Sequence, residues 1–126
     1  MNGARTRGFT LIELLVVMAV LGLLVSLAAP RYFVSIDKAK ESTLRETLMQ
    51  LRQAIDRHFT DTGKYPASME DLVTKKYLRK IPIDPVADRA DAWIVVAPEN
   101  ASLGAVFDVK SSAKGRAKDG TNYETW

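Results

Sequence analysis

Residues Phe9–Ala29 have the sequence FTLIELLVVMAVLGLLVSLAA, and this segment decides the fold. It contains 21 residues, and Glu13 is its only ionisable side chain. As an α-helix rising about 1.5 Å per residue it is roughly 30 Å long, which matches the hydrocarbon core of a bilayer. We therefore predict a transmembrane helix.

The flanking charges predict its orientation. Arg5 and Arg7 precede the apolar segment, and no basic residue follows until Arg31. The positive-inside rule then favours a cytoplasmic N-terminus and export of the rest of the chain. Two simpler interpretations remain open: an uncleaved membrane anchor, or a signal peptide cut after the small-residue pattern Ser26-Leu27-Ala28.

The start of the segment carries a specific motif, RGFTLIE at Arg7–Glu13. It resembles the signature of type IV prepilins and type II secretion pseudopilins, in which glycine, then phenylalanine, then a glutamate four residues later precede an apolar stem. The resemblance implies that a prepilin peptidase cuts between Gly8 and Phe9 and methylates the new amine of Phe9. It also implies three regions: a leader (1–8), a hydrophobic transmembrane and assembly helix (9–30) and a periplasmic pilin-like head (31–126).

The chemistry of the motif is consistent with such processing. Glycine before the cleaved bond lets a protease approach the backbone closely. A free amine on Phe9 would have a pKa of about 7.7–8.0 and would be largely cationic at neutral pH. The resemblance implies that Glu13 of an incoming subunit pairs with this amine on a neighbour. It also matches Gly22 and Pro30 to positions that loosen the stem, and we expect a kink or a melted stretch between them.

Beyond Pro30 the pattern becomes amphipathic. Apolar residues recur at the spacing of one helical stripe: Leu44, Leu48, Leu51, Ile55 and Phe59. We predict that the helix continues to about Asp61 and ends at Gly63. Two later apolar runs, Trp93–Val96 and Val106–Val109, are rich in β-branched residues and predict strands. The expected fold is α+β: a long N-terminal helix, comprising a transmembrane stem and an amphipathic half, with a small C-terminal antiparallel β-sheet head.

A second block of sequence indicates which branch of this family the chain resembles most. It consists of G-x-Y-P at Gly63–Pro66, a short capped helix from Ser68 and I-P-x-D-P at Ile81–Pro85. This order resembles the major, G-type pseudopilin of type II secretion, although Val86-Ala87 follows where such proteins tend to have Trp-Gly. Many G-type pseudopilins hold calcium in the tail. Here Asp119 is the only acid between Asp108 and Glu124, so we expect the calcium loop to be degraded or absent. We predict no cofactor, and calcium binding is the alternative that the sequence leaves open.

Composition excludes several functions. The chain has a formal charge of +3, with 18 basic and 15 acidic side chains, and loss of Arg5 and Arg7 would bring it close to neutrality. Bulk charge therefore does not favour nucleic-acid binding. The chain has no cysteine and one histidine, His58, which removes disulfides, thiol chemistry and familiar metal sites. We identify no catalytic residue and predict that the protein is not an enzyme.

The predicted function is that of a structural subunit of a type II secretion pseudopilus or a type IV pilus-like filament. The resemblance implies several partners: further copies in a filament, the prepilin peptidase, an inner-membrane assembly platform, and minor pilins or pseudopilins. The expected location is the bacterial inner membrane, crossed once, with the head in the periplasm and later in a periplasmic or surface filament. The alternative is a membrane-anchored periplasmic enzyme or binding domain. The short head and the absence of a cysteine pair favour a pseudopilus. The departure at Val86-Ala87 and the absent calcium loop favour a divergent pilin or an orphan relative.

Overall fold

The computed structural model describes Gly3 and residues 7–126, which adopt the predicted α+β fold. The elements in chain order are helix α1 (Leu11–Thr62), helix α2 (Met69–Thr74), strand β1 (Trp93–Val96) and strand β2 (Asp108–Ser111), with 3₁₀ turns at Ala101–Leu103 and Tyr123–Thr125. Most of the predicted leader lies outside the described residues. The chain divides into two compact units, a stem unit that ends at Asp37 and a head unit, Lys38–Trp126.

Helix α1 is continuous through Gly22 and Pro30. The melted stretch predicted between them is absent from the part of the chain that the structure describes. Proline lacks only its own N–H, so a single helical hydrogen bond, the one to the Ser26 carbonyl, is removed. Helix α1 is unbroken on both sides of Pro30 and retains its other hydrogen bonds, which explains why the helix does not melt.

The C-terminal end of α1 follows the prediction closely. The helix ends at Thr62, and Gly63 adopts a φ of +73°, a left-handed conformation that glycine accepts without strain. The Gly63 N–H donates to the Phe59 carbonyl at 2.7 Å, which satisfies one of the carbonyls at the helix end.

The head unit has its own hydrophobic core. Leu44, Leu48, Leu51 and Ile55 are almost completely buried, as the stripe predicts, whereas Phe59 is only half-buried and stacks on Tyr65 with ring centroids 4.5 Å apart. The residues that cover the stripe come from α2, the segment just before β2, strand β2 and the tail: Met69, Leu72, Val106, Val109, Ala113, Ala117 and Tyr123. The helix, the sheet and the tail therefore share one core.

The sheet is antiparallel and two-stranded, with Trp93 opposite Ser111 and Val96 opposite Asp108. Strand β1 has the predicted bounds, but β2 begins two residues later than expected, at Asp108 rather than Val106. The reason is that the N–H groups of Ala105 and Val106 donate to the Pro66 carbonyl, at 3.1 and 3.0 Å. Val106 is buried there, before the ladder begins.

Candidate functional site

The N-terminal motif forms the first turn of α1. The Glu13 N–H donates to the Thr10 hydroxyl at 3.3 Å, and the Thr10 N–H donates to Glu13 Oε2 at 3.4 Å. This reciprocal pair is a capping box, which satisfies two N–H groups that a helix start otherwise leaves unpaired. Within one chain, therefore, the motif glutamate caps its own helix, a role that our sequence analysis did not identify although the T-x-x-E spacing signals it.

The predicted cleavage junction lies outside the helix. Gly8 and Phe9 precede Leu11, where α1 begins, and both residues are exposed. The Phe9 side chain is 88% exposed, and a Cβ atom added to Gly8 would meet no atom within 4 Å. Within the described residues, the peptide bond between Gly8 and Phe9 is therefore open to a protease.

The stem exposes its apolar side chains. The most hydrophobic window of α1 has a mean hydropathy of 2.7, and none of it is buried against the rest of the protein. A shallow hollow of about 550 Å³ lies on this surface beside Glu13, lined also by Phe9, Ile12, Val16 and Val17. The helix is long and apolar enough to cross a membrane.

The predicted joint residues both lie within α1. Pro30 denies the Ser26 carbonyl its helical partner, and the Ser26 hydroxyl donates to the Leu23 carbonyl at 2.7 Å. A side chain at Gly22 would meet no other atom within 4 Å, so packing inside this chain does not require a glycine there. The segment between Gly22 and Pro30 thus has one helical hydrogen bond fewer than its neighbours.

In the tail, Asp119 interacts with donors of the same chain. Its Oδ1 accepts from the Thr121 N–H at 3.0 Å and from the Thr121 hydroxyl at 2.6 Å, while its Oδ2 accepts from Arg45 at 2.6 Å. These bonds, the Thr121 hydroxyl first, lower the pKa of the Asp119 carboxyl from 3.8 to about 2. Asp119 lies in a turn followed by Gly120, which has a φ of +88°.

Arginines of α1 hold the rest of the tail. The Arg45 guanidinium lies 4.3 Å from the centre of the Trp126 ring. Arg52 donates to Asp108 at 2.8 Å and to the Trp126 main-chain oxygen at 2.5 Å. Tyr123 is buried and its hydroxyl donates to Glu41 at 2.9 Å, so the aromatic tail is held against helix α1.

Two buried polar residues were not identified as important from the sequence. Asp84, in the I-P-x-D-P segment, is fully buried and accepts from the Ser111 hydroxyl and from the N–H groups of Val86 and Ala87. It therefore fastens the connector to β2. His58 is also buried, with Nδ1 2.7 Å from the Lys64 carbonyl; since a carbonyl only accepts, Nδ1 carries the proton.

Within residues 7–126, the structure has no group of three or more His, Asp or Glu side chains close enough to hold a metal ion. His58 Nε2 instead lies 3.1 Å from the Lys75 ammonium, from which it accepts a hydrogen bond. Both buried residues therefore connect separate segments of the chain. Asp84 joins the connector to β2, and His58 joins α1 to Lys64 and Lys75.

Comparisons with known proteins agree with the motif. A family profile described as the prokaryotic N-terminal methylation motif matches residues 3–29. The chain is 33% identical to the type II secretion system core protein G of Pectobacterium carotovorum over 100 residues, 67% of this chain and 64% of that protein. It thus spans slightly less than two thirds of that relative's length.

Other relatives carry the same description. The core protein G of Pseudomonas aeruginosa is 32% identical over 101 residues, 68% of this chain and 71% of that protein. The core protein G of Escherichia coli is 29% identical over 97 residues, 64% of this chain and 67% of that protein. No solved structure gives a significant match.

Proposed function

The chain belongs to the family of type II secretion system core protein G, and from this premise we propose that it is a structural subunit of a type II secretion pseudopilus. In this role it polymerises through its N-terminal helix and catalyses no reaction. The relatives favour the pseudopilus over a surface pilus, because their shared description names the type II secretion system.

The observation that carries the proposal is the exposed stem. Its leucine, valine and isoleucine side chains are at least 50% exposed from Leu11 to Leu27. Full burial of one such side chain is favourable by about 1.5–3 kcal/mol, so an uncovered stem is unstable in water. Lipid covers it in the stored subunit, and the stems of neighbouring subunits cover it in the filament.

In the proposed pathway, residues 1–8 form a leader, residues 9–30 form the assembly helix and residues 31–126 form the head. The subunit waits in the inner membrane, crossing it once, with its head in the periplasm. A prepilin peptidase removes the leader after Gly8 and methylates Phe9. An inner-membrane platform and minor pseudopilins then assist its addition to the filament. We assign it no cofactor.

Glu13 sets the register of the filament in this proposal. Cleavage creates a cationic amine on Phe9, next to the residue that caps α1. A carboxylate and an ammonium that leave water together are each costly when unpaired, and pairing across subunits relieves both costs. The hollow beside Glu13 gives the Phe9 amine of a neighbour room to approach. The capping box is then exchanged for an ion pair between subunits.

The segment from Gly22 to Pro30 acts as a joint in the same proposal. It lacks one helical hydrogen bond, so less free energy is needed to open it than to open the rest of the stem. Opening under tension would lengthen the filament without separating its subunits.

Maturation tests the proposed function directly. The chain is expressed in a membrane host with and without a prepilin peptidase, and its N-terminus is determined by mass spectrometry. With the peptidase we expect the chain to begin at Phe9 and to carry one added methyl group; without it, the leader stays attached. A terminus near Ala29 would instead establish an ordinary signal peptide, and an uncleaved chain beside active peptidase would establish a simple anchor.

A further inference from the structure

The loop that follows β2 displays three basic side chains. Lys114, Arg116 and Lys118 are exposed, while Ala113 just before them and Ala117 between the last two are buried in the core. The loop is held by its own backbone: Ala117 N–H donates to the Thr121 carbonyl at 2.8 Å and Gly120 N–H to the Ala117 carbonyl at 3.0 Å. An ordered loop therefore holds the three cations on the outside of the head.

The loop is attached to the first turns of α1 that belong to the head. The Lys118 N–H donates to Glu41 at 2.9 Å, and Arg45 pairs with Asp119 at 2.6 Å. These contacts bring Lys118 beside Lys38, and the two lysines share a shallow cleft of about 230 Å³ lined also by Ser42. Lys118 of the loop and Lys38 and Arg45 of the helix therefore line one cleft, and Lys114 and Arg116 are exposed on the same loop.

We call this the basic surface: Lys38, Arg45, Lys114, Arg116 and Lys118. The carboxylates placed near it are Glu41 and Asp119, and Asp37 precedes Lys38 in the chain, so its five cations exceed these three anions by two. Asp119 neutralises Arg45 in an ion pair, whereas Glu41 accepts from neutral donors, the Lys118 N–H and the Tyr123 hydroxyl. Although the chain as a whole is near neutrality, this face is positive.

Few residues of chain separate the apolar run from the basic surface. The apolar run ends at Ala29, and Lys38 follows nine residues later. Even fully extended, nine residues span at most about 30 Å, so Lys38 is never farther than this from the end of the apolar run. Such a tether gives the two surfaces a high effective concentration, and a weak attraction per side chain is then sufficient for contact.

We propose that the basic surface binds anionic phospholipid headgroups of the membrane in which the stem is embedded. Ammonium and guanidinium groups form charge-assisted hydrogen bonds with phosphodiester oxygens, and anionic lipids attract basic segments close to the membrane. The contact holds the head of the stored subunit against the bilayer, and it must be released when the subunit enters the filament. This inference rests on the proposed function, because it requires the stem to lie in a membrane.

The test uses the full chain in lipid nanodiscs. One preparation contains phosphatidylcholine alone and the other includes phosphatidylglycerol, and hydrogen–deuterium exchange is followed at residues 114–121. Each basic side chain near an anionic surface favours association by a factor of about five. We therefore expect exchange in this loop to slow at least about threefold with phosphatidylglycerol, and the slowing to vanish at high salt.

A charge-matched pair of variants locates the effect. The triple variant Lys38→Gln, Lys114→Gln and Lys118→Gln should lose the slowing, whereas Lys64→Gln, Arg79→Gln and Lys80→Gln, which removes three exposed cations outside the basic surface, should keep it. Inorganic phosphate added to neutral nanodiscs should not reproduce the slowing, which distinguishes a lipid surface from free phosphate. The salt dependence of the unmodified chain tests the inference even if a variant misfolds.

Several results would overturn the inference. Equal exchange rates in neutral and anionic nanodiscs would overturn the inference. So would an equal loss of the slowing in the two triple variants. Slowing by soluble polyglutamate but not by anionic lipid would identify an acidic polypeptide as the partner instead. A chain that fails to enter nanodiscs at all would overturn the proposed function and this inference together, whereas entry without slowing would overturn the inference alone.

Discussion

The capping role that Glu13 has in the structure and the assembly role proposed for it place different demands on its side chain. In the capping box it accepts a hydrogen bond from Thr10, which glutamine at the same position also does. In the proposed filament it pairs with a buried ammonium group, and this requires a negative charge. The two roles can therefore be separated by substitution.

Replacing Glu13 should stop assembly without stopping insertion. Glu13→Ala removes the only ionisable side chain of the apolar segment, which leaves insertion intact or improved. It also leaves the Phe9 amine of each neighbour unpaired, at a cost of about 3–5 kcal/mol per interface. We expect almost no sheared filament from Glu13→Ala and an intermediate amount from Glu13→Gln, at equal expression and with membrane-fraction controls.

Glu13→Gln is the informative control, because it retains the capping box and removes only the charge. Wild-type amounts of filament from Glu13→Ala would refute the charge-register mechanism. The carboxylate would then need a different role, such as contact with the assembly platform.

The lowered pKa of the Asp119 carboxyl predicts how the stability of the tail changes in acid. Its pKa is about 2 in the folded chain, because Thr121 and Arg45 stabilise the ionised carboxylate, against about 3.9 for an unfolded one. A lowered carboxyl pKa contributes stability above pH 4 that is lost as the pH falls from about 4 to 2. We expect the Thr121 amide resonance to titrate with a midpoint near the lower value.

Asp119→Asn should abolish this titration while leaving the NMR spectrum of the core unchanged at pH 7. A midpoint close to 4 in the unmodified chain would show that the hydrogen bonds from Thr121 and the pairing with Arg45 are not maintained in solution.

At the scale of elements, the part of α1 that belongs to the head forms one side of the hydrophobic core. Leu51 is completely buried, whereas Met49, two residues away on the other face, is 47% exposed. Leu51→Ala should lower the free energy of unfolding of the head by about 2–5 kcal/mol, through lost burial and a residual cavity. Met49→Ala should change it by less than about 0.5 kcal/mol.

Chemical denaturation of the two variants measures this difference, with circular dichroism to confirm that the helix is retained. Comparable losses for both variants would mean that the apolar stripe does not face the core as the structure shows.

At the scale of the whole molecule, calcium binding can be tested through the thermal stability of the chain. The structure gives Asp119 donors from its own chain, and we propose that these hold the tail without a metal ion. If so, chelator should leave the thermal midpoint of the detergent-solubilised chain unchanged, because only a bound ligand stabilises the folded state by mass action. A midpoint that falls with chelator and recovers with calcium would establish a calcium site.

The features predicted correctly from the sequence depend on residues close together in the chain. The apolar run at Phe9–Ala29, the stripe from Leu44 to Ile55 and the glycine that ends α1 are all local patterns, and a helix imposes its periodicity on them in any context. The strands were also predictable as elements, since their β-branched side chains are adjacent.

Long-range contacts govern the features that sequence patterns did not predict. Asp84 pairs with Ser111, Arg45 pairs with Asp119, and Pro66 takes hydrogen bonds from the chain just before β2 and so delays the strand. Asp84 is buried and Asp119 is exposed, although the two side chains are chemically identical. Only the partners that folding brings to each carboxylate determine its environment. Desolvation and hydrogen bonding depend on which groups are close in space, so they cannot be predicted from the spacing of residues along the chain.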